Sequence, residues 1–280
     1  MRKIHVRDIT ETVAKLCIKA NVDLRPDVYR ALGRSLKREK NSRARRILGA
    51  LLDNADCARK LKIAICQDTG LAYVFVELGQ EVRVLGGGLV KAINKGIEQG
   101  YKRGRLRNSV IRHPLKRVSG SKFSPGVVHI DVVKGRHLGL SVFPKGFGSE
   151  NKSAVKMFRP TEKIKTICDF VLSVVEQAGP DACPPFVVGI GIGGGLDQAA
   201  LLAKKALLYR IDRKNPDQAL AKLEDNLLKS INRLNIGPMG LGGGSTCLGV
   251  NIKTHPTHIA GLPVAVNISC HALRSASKRL

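Results

Sequence analysis

Apolar positions recur at helical spacing through the first sixty residues. Ile9, Val13, Leu16 and Cys17 share one face of a 3.6-residue period behind a capping pair, Asp8 with Glu11. Ile47, Leu48, Leu51, Leu52 and Ala55 form a second stripe, and Ile164, Ile167, Cys168, Val171, Leu172 and Val175 a third. Cys17 and Cys168 therefore read as core, as does Cys57 near the end of the second stripe. From residue 61 the pattern is mixed. Leu61 to Ile65 reads as a buried strand that ends at Cys66, followed by a turn. Tyr73–Leu78 and Val127–Val133 read as strands, and the turn at Lys134, Gly135 and Arg136 predicts a hairpin return along Leu138–Phe143. Helices are expected over 88–102, 161–178, 197–209 and 216–234. The pattern predicts an α/β fold, a mixed-sheet domain with a helical N-terminal layer. Residues 1–60 would be a helical extension packed on an α/β domain of residues 61–280, without a long linker or internal repeat.

Composition narrows the class. With 280 residues and 43% apolar content, the chain can bury a substantial core. No stretch approaches about 18 uninterrupted apolar residues, and Met1 to Glu11 is charged, which argues against membrane spans and secretion. A reducing, cytoplasmic setting is expected. The seven cysteines are odd in number and widely spaced, so thiols or metal ligands are expected in place of disulfides. A formal charge of +26 would draw acidic partners or anionic substrates, and basic residues gather at 37–46 and 102–117. They keep a basic nucleic-acid-binding protein as an alternative of a different class. Aromatic residues make up only 4% and Trp is absent, which argues against a base-stacking platform.

Three stretches carry residues that can do chemistry. In "IAICQDTGLA" a thiol and a carboxylate stand two residues apart, at Cys66 and Asp68, although a core cysteine and an ordinary Asp-Thr-Gly turn would look the same. In "DACPPFVVGIGIGGGLDQA", Cys183 precedes two prolines and a buried strand. Gly189, Gly191 and Gly194 there match G-x-G-x-x-G, but Asp212 does not end a second strand, so a dinucleotide unit would lack its ribose partner. In the C-terminal stretch, His255 and His258 flank Pro256, and Cys270 with His271 follows the strand-like run Leu262 to Ile268. Cys66, Cys183 and Cys270 share placement at a strand end, which suggests convergence on one site. No C-x-x-C pair or H-E-x-x-H helix supports zinc. Three dispersed cysteines suit an iron–sulfur cluster with one iron left open.

The motifs "CQDTG", "LRNSVIRHPL", "PKGFGSENKS", "CPPFVVGIGIGG" and "LGGGSTCLGVNIKTHPTHIAGLPVAVNISCHALR" resemble, in order, the α subunit of class I iron–sulfur fumarate hydratases and the related L-tartrate dehydratases. The resemblance spans nearly the whole chain. It implies that Cys66, Cys183 and Cys270 hold a [4Fe-4S] cluster whose fourth iron serves as a Lewis acid in reversible hydration. It also implies that Asp68 belongs to the proton-transfer machinery and that Gln67, Arg107, Gly148 and His258 bind a small dicarboxylate, Gly148 through its N–H. Cys247 is expected to be core or to lie behind the ligands, and His255 and His271 receive no role. By the same likeness the site is completed by a β subunit, in an α2β2 assembly, without which the chain is inactive. Hydration of fumarate to L-malate is the first reading, with an L-tartrate dehydratase α subunit as the alternative.

Overall fold

The computed structural model describes residues 1–117 and 121–280. Along the chain run β1 (Arg2–His5), α1 (Val6–Val22), α2 (Pro26–Arg38), α3 (Ser42–Leu61), β2 (Leu71–Gly79), β3 (Val82–Leu85), α4 (Leu89–Arg103), β4 (Val127–Val133) and β5 (Leu138–Lys145). They are followed by α5 (Phe147–Glu150), β6 (Ala154–Phe158), α6 (Ile164–Ala178), β7 (Phe186–Gly194), α7 (Leu196–Ala206), α8 (Gln218–Arg233), β8 (Cys247–Thr257), β9 (Leu262–Ser269) and β10 (Ala276–Arg279). The chain divides into two compact units. One holds Met1–Arg25, Ala55–Gly146 and Arg274–Leu280; the other holds Pro26–Asn54 and Phe147–Leu273. The first sixty residues are thus shared between the two, and they are helical apart from β1 and the short connections.

The first unit is built on a four-stranded sheet in the order β10-β5-β2-β4 and a short parallel pair, β1 with β3. The helices α1 and α4 cover the sheet, placing Ile9, Val13, Cys17, Ile93, Ile97 and Tyr101 against Val74, Val76, Leu140 and Val142. Their backbones approach closely because α4 carries glycines at the contact. A Cβ on Gly96 would stand 2.6 Å from the Thr10 carbonyl oxygen, and one on Gly100 would stand 2.6 Å from that of Ala14.

In the second unit the order is β6-β9-β7-β8, with β7 parallel to β8 and antiparallel to β9. Alternation along β7 sends Val188 and Ile190 into a core with Val171, Val175, Leu227 and Ile231 of α6 and α8. The intervening Gly189 and Gly191 face α7. A Cβ there would stand 2.2 Å from the Ala203 carbonyl oxygen and 2.0 Å from that of Ala199. These glycines therefore admit a helix backbone onto the sheet, and β7 continues through Gly194. The G-x-G-x-x-G match is a packing device and opens no phosphate turn at its first two glycines.

Several local expectations change. Leu61 to Ile65 is not a strand: α3 runs through Leu61, Lys62 adopts φ 58°, and Leu61 and Ile63 are exposed while Ala64 and Ile65 turn toward the core. Cys57 is exposed, because the buried face of α3 follows Ala44, Leu48, Ala55 and Ala58. The strands β4 and β5 do not form a hairpin. The strand β2 lies between them, parallel to β4 and antiparallel to β5, and its end is tied to their connection by Gly79 N–H to the His137 carbonyl and Gln80 N–H to that of Val133. Finally, α1 is capped by His5, whose Nδ1 accepts the Arg7 N–H, instead of by Asp8 and Glu11.

Candidate functional site

Between α3 and β2 the chain from Lys62 to Gly70 has no regular structure, and this loop carries Cys66, Gln67 and Asp68. Cys66 therefore lies in a loop preceding a strand, not at a strand end. Cys66 and Asp68 are half-buried and Gln67 is exposed. The Cys66 thiol donates to Gln67 Oε1 at 3.2 Å, and Asp68 Oδ1 accepts the Gly70 N–H at 2.9 Å. Gly70 has φ +75°, and a Cβ on it would meet the Lys145 main chain at 2.8 Å, so the tight entry into β2 requires glycine.

Buried side chains hold this loop from behind. The Ile65 N–H donates to the Asn21 carbonyl at 2.9 Å. The Tyr101 hydroxyl lies 2.9 Å from the Thr69 carbonyl and 3.0 Å from that of Gly70. Burial pushes this phenol well above the usual tyrosine range, so at neutral pH it stays an O–H donor. Thr69 Oγ1 accepts the Arg107 N–H at 3.0 Å, which anchors the main chain of the exposed Arg107 to the same loop. Arg274, 2% exposed, donates from Nη2 to the Asp68 carbonyl at 2.8 Å and from Nη1 to Asn21 Oδ1 at 3.2 Å. The first unit thus joins Cys66, Gln67, Asp68 and Arg107. Tyr101, Thr69, Asn21 and Arg274 hold them; Thr69 and Arg274 fall within the quoted motifs, but nothing local marks any of the four as a support, because a buried support shows itself only through its contacts.

The second unit brings Cys183 and Cys270 together. Cys183 closes the 3-10 turn Gly179–Ala182 with a left-handed φ of 53°, just before β7, and Cys270 directly follows β9. Because Val187 pairs with Ser269 across the antiparallel strands, both cysteines stand at one end of the sheet. Cys247 opens β8 at that same end, paired with Phe186, but its side chain is buried and its thiol donates to the Gly249 carbonyl. Burial pushes this thiol up to about 12, so it remains protonated. Gly148 lies in α5, where a Cβ would come 3.6 Å from the Asp181 carbonyl oxygen. Glu150 of the same turn contacts the Lys204 ammonium and accepts from Asn267 Nδ2 at 3.0 Å. His258 stands elsewhere: it is exposed in the turn between β8 and β9, at the end of β9 opposite Cys270. At ~3.3 Å per residue, that strand separates the two by about 25 Å.

The seven cysteines, none of them in a disulfide, sort by surroundings. Cys17 is buried and its thiol is pushed up to about 12 by desolvation; Cys57 and Cys168 sit on helices, and burial pushes Cys168 up as well. Cys66, Cys183 and Cys270 are each half-buried and outside helices and strands. Thiols placed in this way are open to a ligand, and three of them fit the donor set that an iron–sulfur cluster needs. Among the described residues no group of three or more His, Cys, Asp or Glu side chains is arranged to hold a single metal ion.

Comparison with known proteins places the chain among the hydro-lyases. It belongs to the fumarate hydratase (Fumerase) family, whose model matches residues 10–279. A relative from Methanocaldococcus jannaschii named "Putative L(+)-tartrate dehydratase subunit alpha" is 39% identical over 281 residues, covering 97% of each chain. The L(+)-tartrate dehydratase subunit alpha of Escherichia coli K12 is 30% identical over 96% of this chain and 89% of its own length. The protein of the same name from E. coli UTI89 is 30% identical over 98% and 91%. Among the described residues, no helix is long and apolar enough to cross a membrane.

Proposed function

We propose that this chain is the α subunit of an iron–sulfur-dependent L(+)-tartrate dehydratase and works with a β subunit. The observation that carries this reading is its similarity, over nearly its whole length, to chains named as that subunit. The motif resemblance by itself puts fumarate first and tartrate second; the relatives reverse that order. The arrangement inside each unit supports the chemistry. The first presents a thiol and a carboxylate on a braced loop to which an arginine is tied through Thr69, and the second presents two thiols at one end of a sheet.

Cys66, Cys183 and Cys270 would hold a [4Fe-4S] cluster, which when bound supplies Lewis acidity toward the hydroxyl that departs. The chain's own residues do the rest. Arg107, anchored through Thr69, grips a substrate carboxylate with its guanidinium fork, and the Gly148 N–H and Gln67 side chain contact the same diacid. Asp68 removes the proton from the carbon next to a carboxylate. Loss of that proton and of hydroxide from the neighbouring carbon gives water and an enol diacid, which tautomerises to oxaloacetate. The β subunit supplies the remaining contacts, in the α2β2 assembly expected of this family. His258, about 25 Å from Cys270 at the far end of β9, lies beyond the reach of a small diacid held beside that cysteine and has no part in this reading.

The test is turnover by the assembled enzyme, loaded anaerobically with iron and sulfide. L-Tartrate is expected to be dehydrated with a kcat/KM at least about tenfold above that for L-malate, and Asp68→Asn is expected to lower kcat by roughly 10²-fold or more without loss of iron. Preferred turnover of L-malate or fumarate would return the substrate to the fumarate reading, and an Asp68→Asn enzyme with wild-type kcat would remove Asp68 from the chemistry.

A further inference from the structure

Arg274 carries a charge that the core of its unit does not need. It is 2% exposed, and its Nε–H meets no acceptor among the described residues. Burying a guanidinium is costly unless its neighbours repay it, and a methionine would fill the same space at lower cost. The contacts that this arginine does make run to one place. Nη2 donates to the Asp68 carbonyl at 2.8 Å, and Nη1 donates to Asn21 Oδ1 at 3.2 Å.

Asn21 is a fixed base for that bracket. It is fully buried, its Nδ2 donates to the Cys17 carbonyl of α1 at 3.0 Å, and its own carbonyl accepts the Ile65 N–H. Asn21 thus fixes the loop at Ile65, and Arg274, leaning on Asn21, fixes it three residues later at Asp68. Gly146 completes the arrangement. A Cβ there would lie 3.2 Å from Asp68 Oδ2 and 3.7 Å from Arg274 Nη2, so the carboxylate occupies a slot left open by a missing side chain. Main chain, carboxylate and guanidinium are therefore located together.

We propose that Arg274 is the positioning residue of the Asp68 loop: braced on Asn21, it sets where the Asp68 carboxylate stands, and Gly146 keeps open the slot that the carboxylate fills. The inference rests on the reading of Asp68 as the proton-transfer group. A displacement of about 1 Å at such a group is enough to cost on the order of 10²-fold in rate, while cluster ligation and substrate grip depend on other atoms.

The test compares Arg274→Met, Arg274→Lys and Gly146→Ala with Asp68→Asn in the assembled, iron- and sulfide-loaded enzyme. It reads kcat, KM, iron per chain and hydrogen exchange of the amides from Cys66 to Gly70. Arg274→Met is expected to lower kcat about 100-fold, with KM within about threefold, wild-type iron content and faster exchange across the loop. Arg274→Lys, which keeps the charge but not both hydrogen bonds, is expected to lose about tenfold. Gly146→Ala, which crowds only the carboxylate, is expected to lower kcat with exchange unchanged. If Arg274→Met gives no soluble protein, the other two variants decide. An Asp68→Asn enzyme with wild-type kcat removes the reading beneath the inference. An inactive Asp68→Asn beside Arg274→Lys and Gly146→Ala enzymes within threefold of wild type overturns the inference alone, as does a loss of activity matched by loss of iron, which would make the arginine a structural prop.

Discussion

The carbonyl oxygen of Cys183 meets two groups of one residue, the main-chain N–H of His271 at 3.2 Å and the His271 Nδ1 at 3.1 Å. A carbonyl can only accept, so Nδ1 carries a proton and donates it to Cys183. Cys183 needs such a hold, because φ 53° is a conformation that residues other than glycine adopt at a cost. His271 directly follows Cys270, so one side chain ties together the loops of two proposed cluster ligands. The sequence reading assigned it no role. Replacing it by alanine removes one net hydrogen bond, about 1 kcal/mol, and is expected to speed iron release to a chelator roughly fivefold. His271→Asn, which can still donate from Nδ2, is expected to restore part of the retention. Release at the wild-type rate in His271→Ala would show that the left-handed turn stands without it.

Thr69 is the corresponding tie in the first unit, joining the Asp68 loop to Arg107 through its hydroxyl. Thr69→Val keeps the shape and deletes the acceptor, leaving the Arg107 N–H without that partner. The expected outcome in the assembled enzyme is a KM for the diacid raised about five- to tenfold, with kcat within about threefold, because the loss falls on substrate grip and not on proton transfer. A fall in kcat at constant KM would reverse that assignment and place the Thr69 contact in the service of Asp68.

Helices were legible because their apolar stripes repeat at 3.6 residues: 88–102 and 216–234 differ from α4 and α8 by only one or two residues at each end. Strands were legible as segments but not as neighbours. Whether β4 pairs with β5 or with β2 depends on which strand enters between them, and nothing local records that. The apolar run Leu61 to Ile65 misled for a related reason: its side chains are partly the solvent side of a helix end. The site divides in the same way. Cys66, Cys183, Cys270, Asp68 and Arg107 could be named from motifs; Cys66 and Asp68 share one loop, Arg107 lies on the segment after α4, and Cys183 and Cys270 lie on two loops at one end of a sheet. Arg274 and Asp68 are 206 residues apart, and Tyr101 and Thr69 are 32 apart, so the supports become visible only when the chain has folded.

The glycines of β7 give a prediction that separates packing from nucleotide binding. In Gly191→Ala the new methyl would stand 2.0 Å from the Ala199 carbonyl oxygen, and that atom belongs to a helix backbone that cannot swing aside. Overpacking of this kind costs about 1–3 kcal/mol, so the urea midpoint of the variant is expected to fall clearly below that of the wild type. Calorimetry with NAD is expected to show no saturable binding by either protein. Unchanged stability together with NAD binding lost on substitution would restore the dinucleotide reading.

Glu224 of α8 gives the pH dependence. Its Oε1 accepts the Ile252 N–H of β8 at 2.7 Å and Asn215 Nδ2 at 2.9 Å, which ties helix to sheet. Desolvation nevertheless dominates and holds the carboxyl above its ordinary value of 4.5. A folded carboxyl that binds its proton more tightly than the unfolded one contributes stability that is fully present below 4.5 and is lost as pH rises through the raised value. Glu224→Gln keeps the accepting oxygen and removes the buried charge. The two proteins are therefore expected to have closely similar urea midpoints near pH 4.5, and the variant is expected to draw ahead as the pH is raised to 8, by up to about 1 kcal/mol. A variant that falls behind with rising pH would mean that the ionised carboxylate is net stabilising and that its two hydrogen bonds outweigh the burial of its charge.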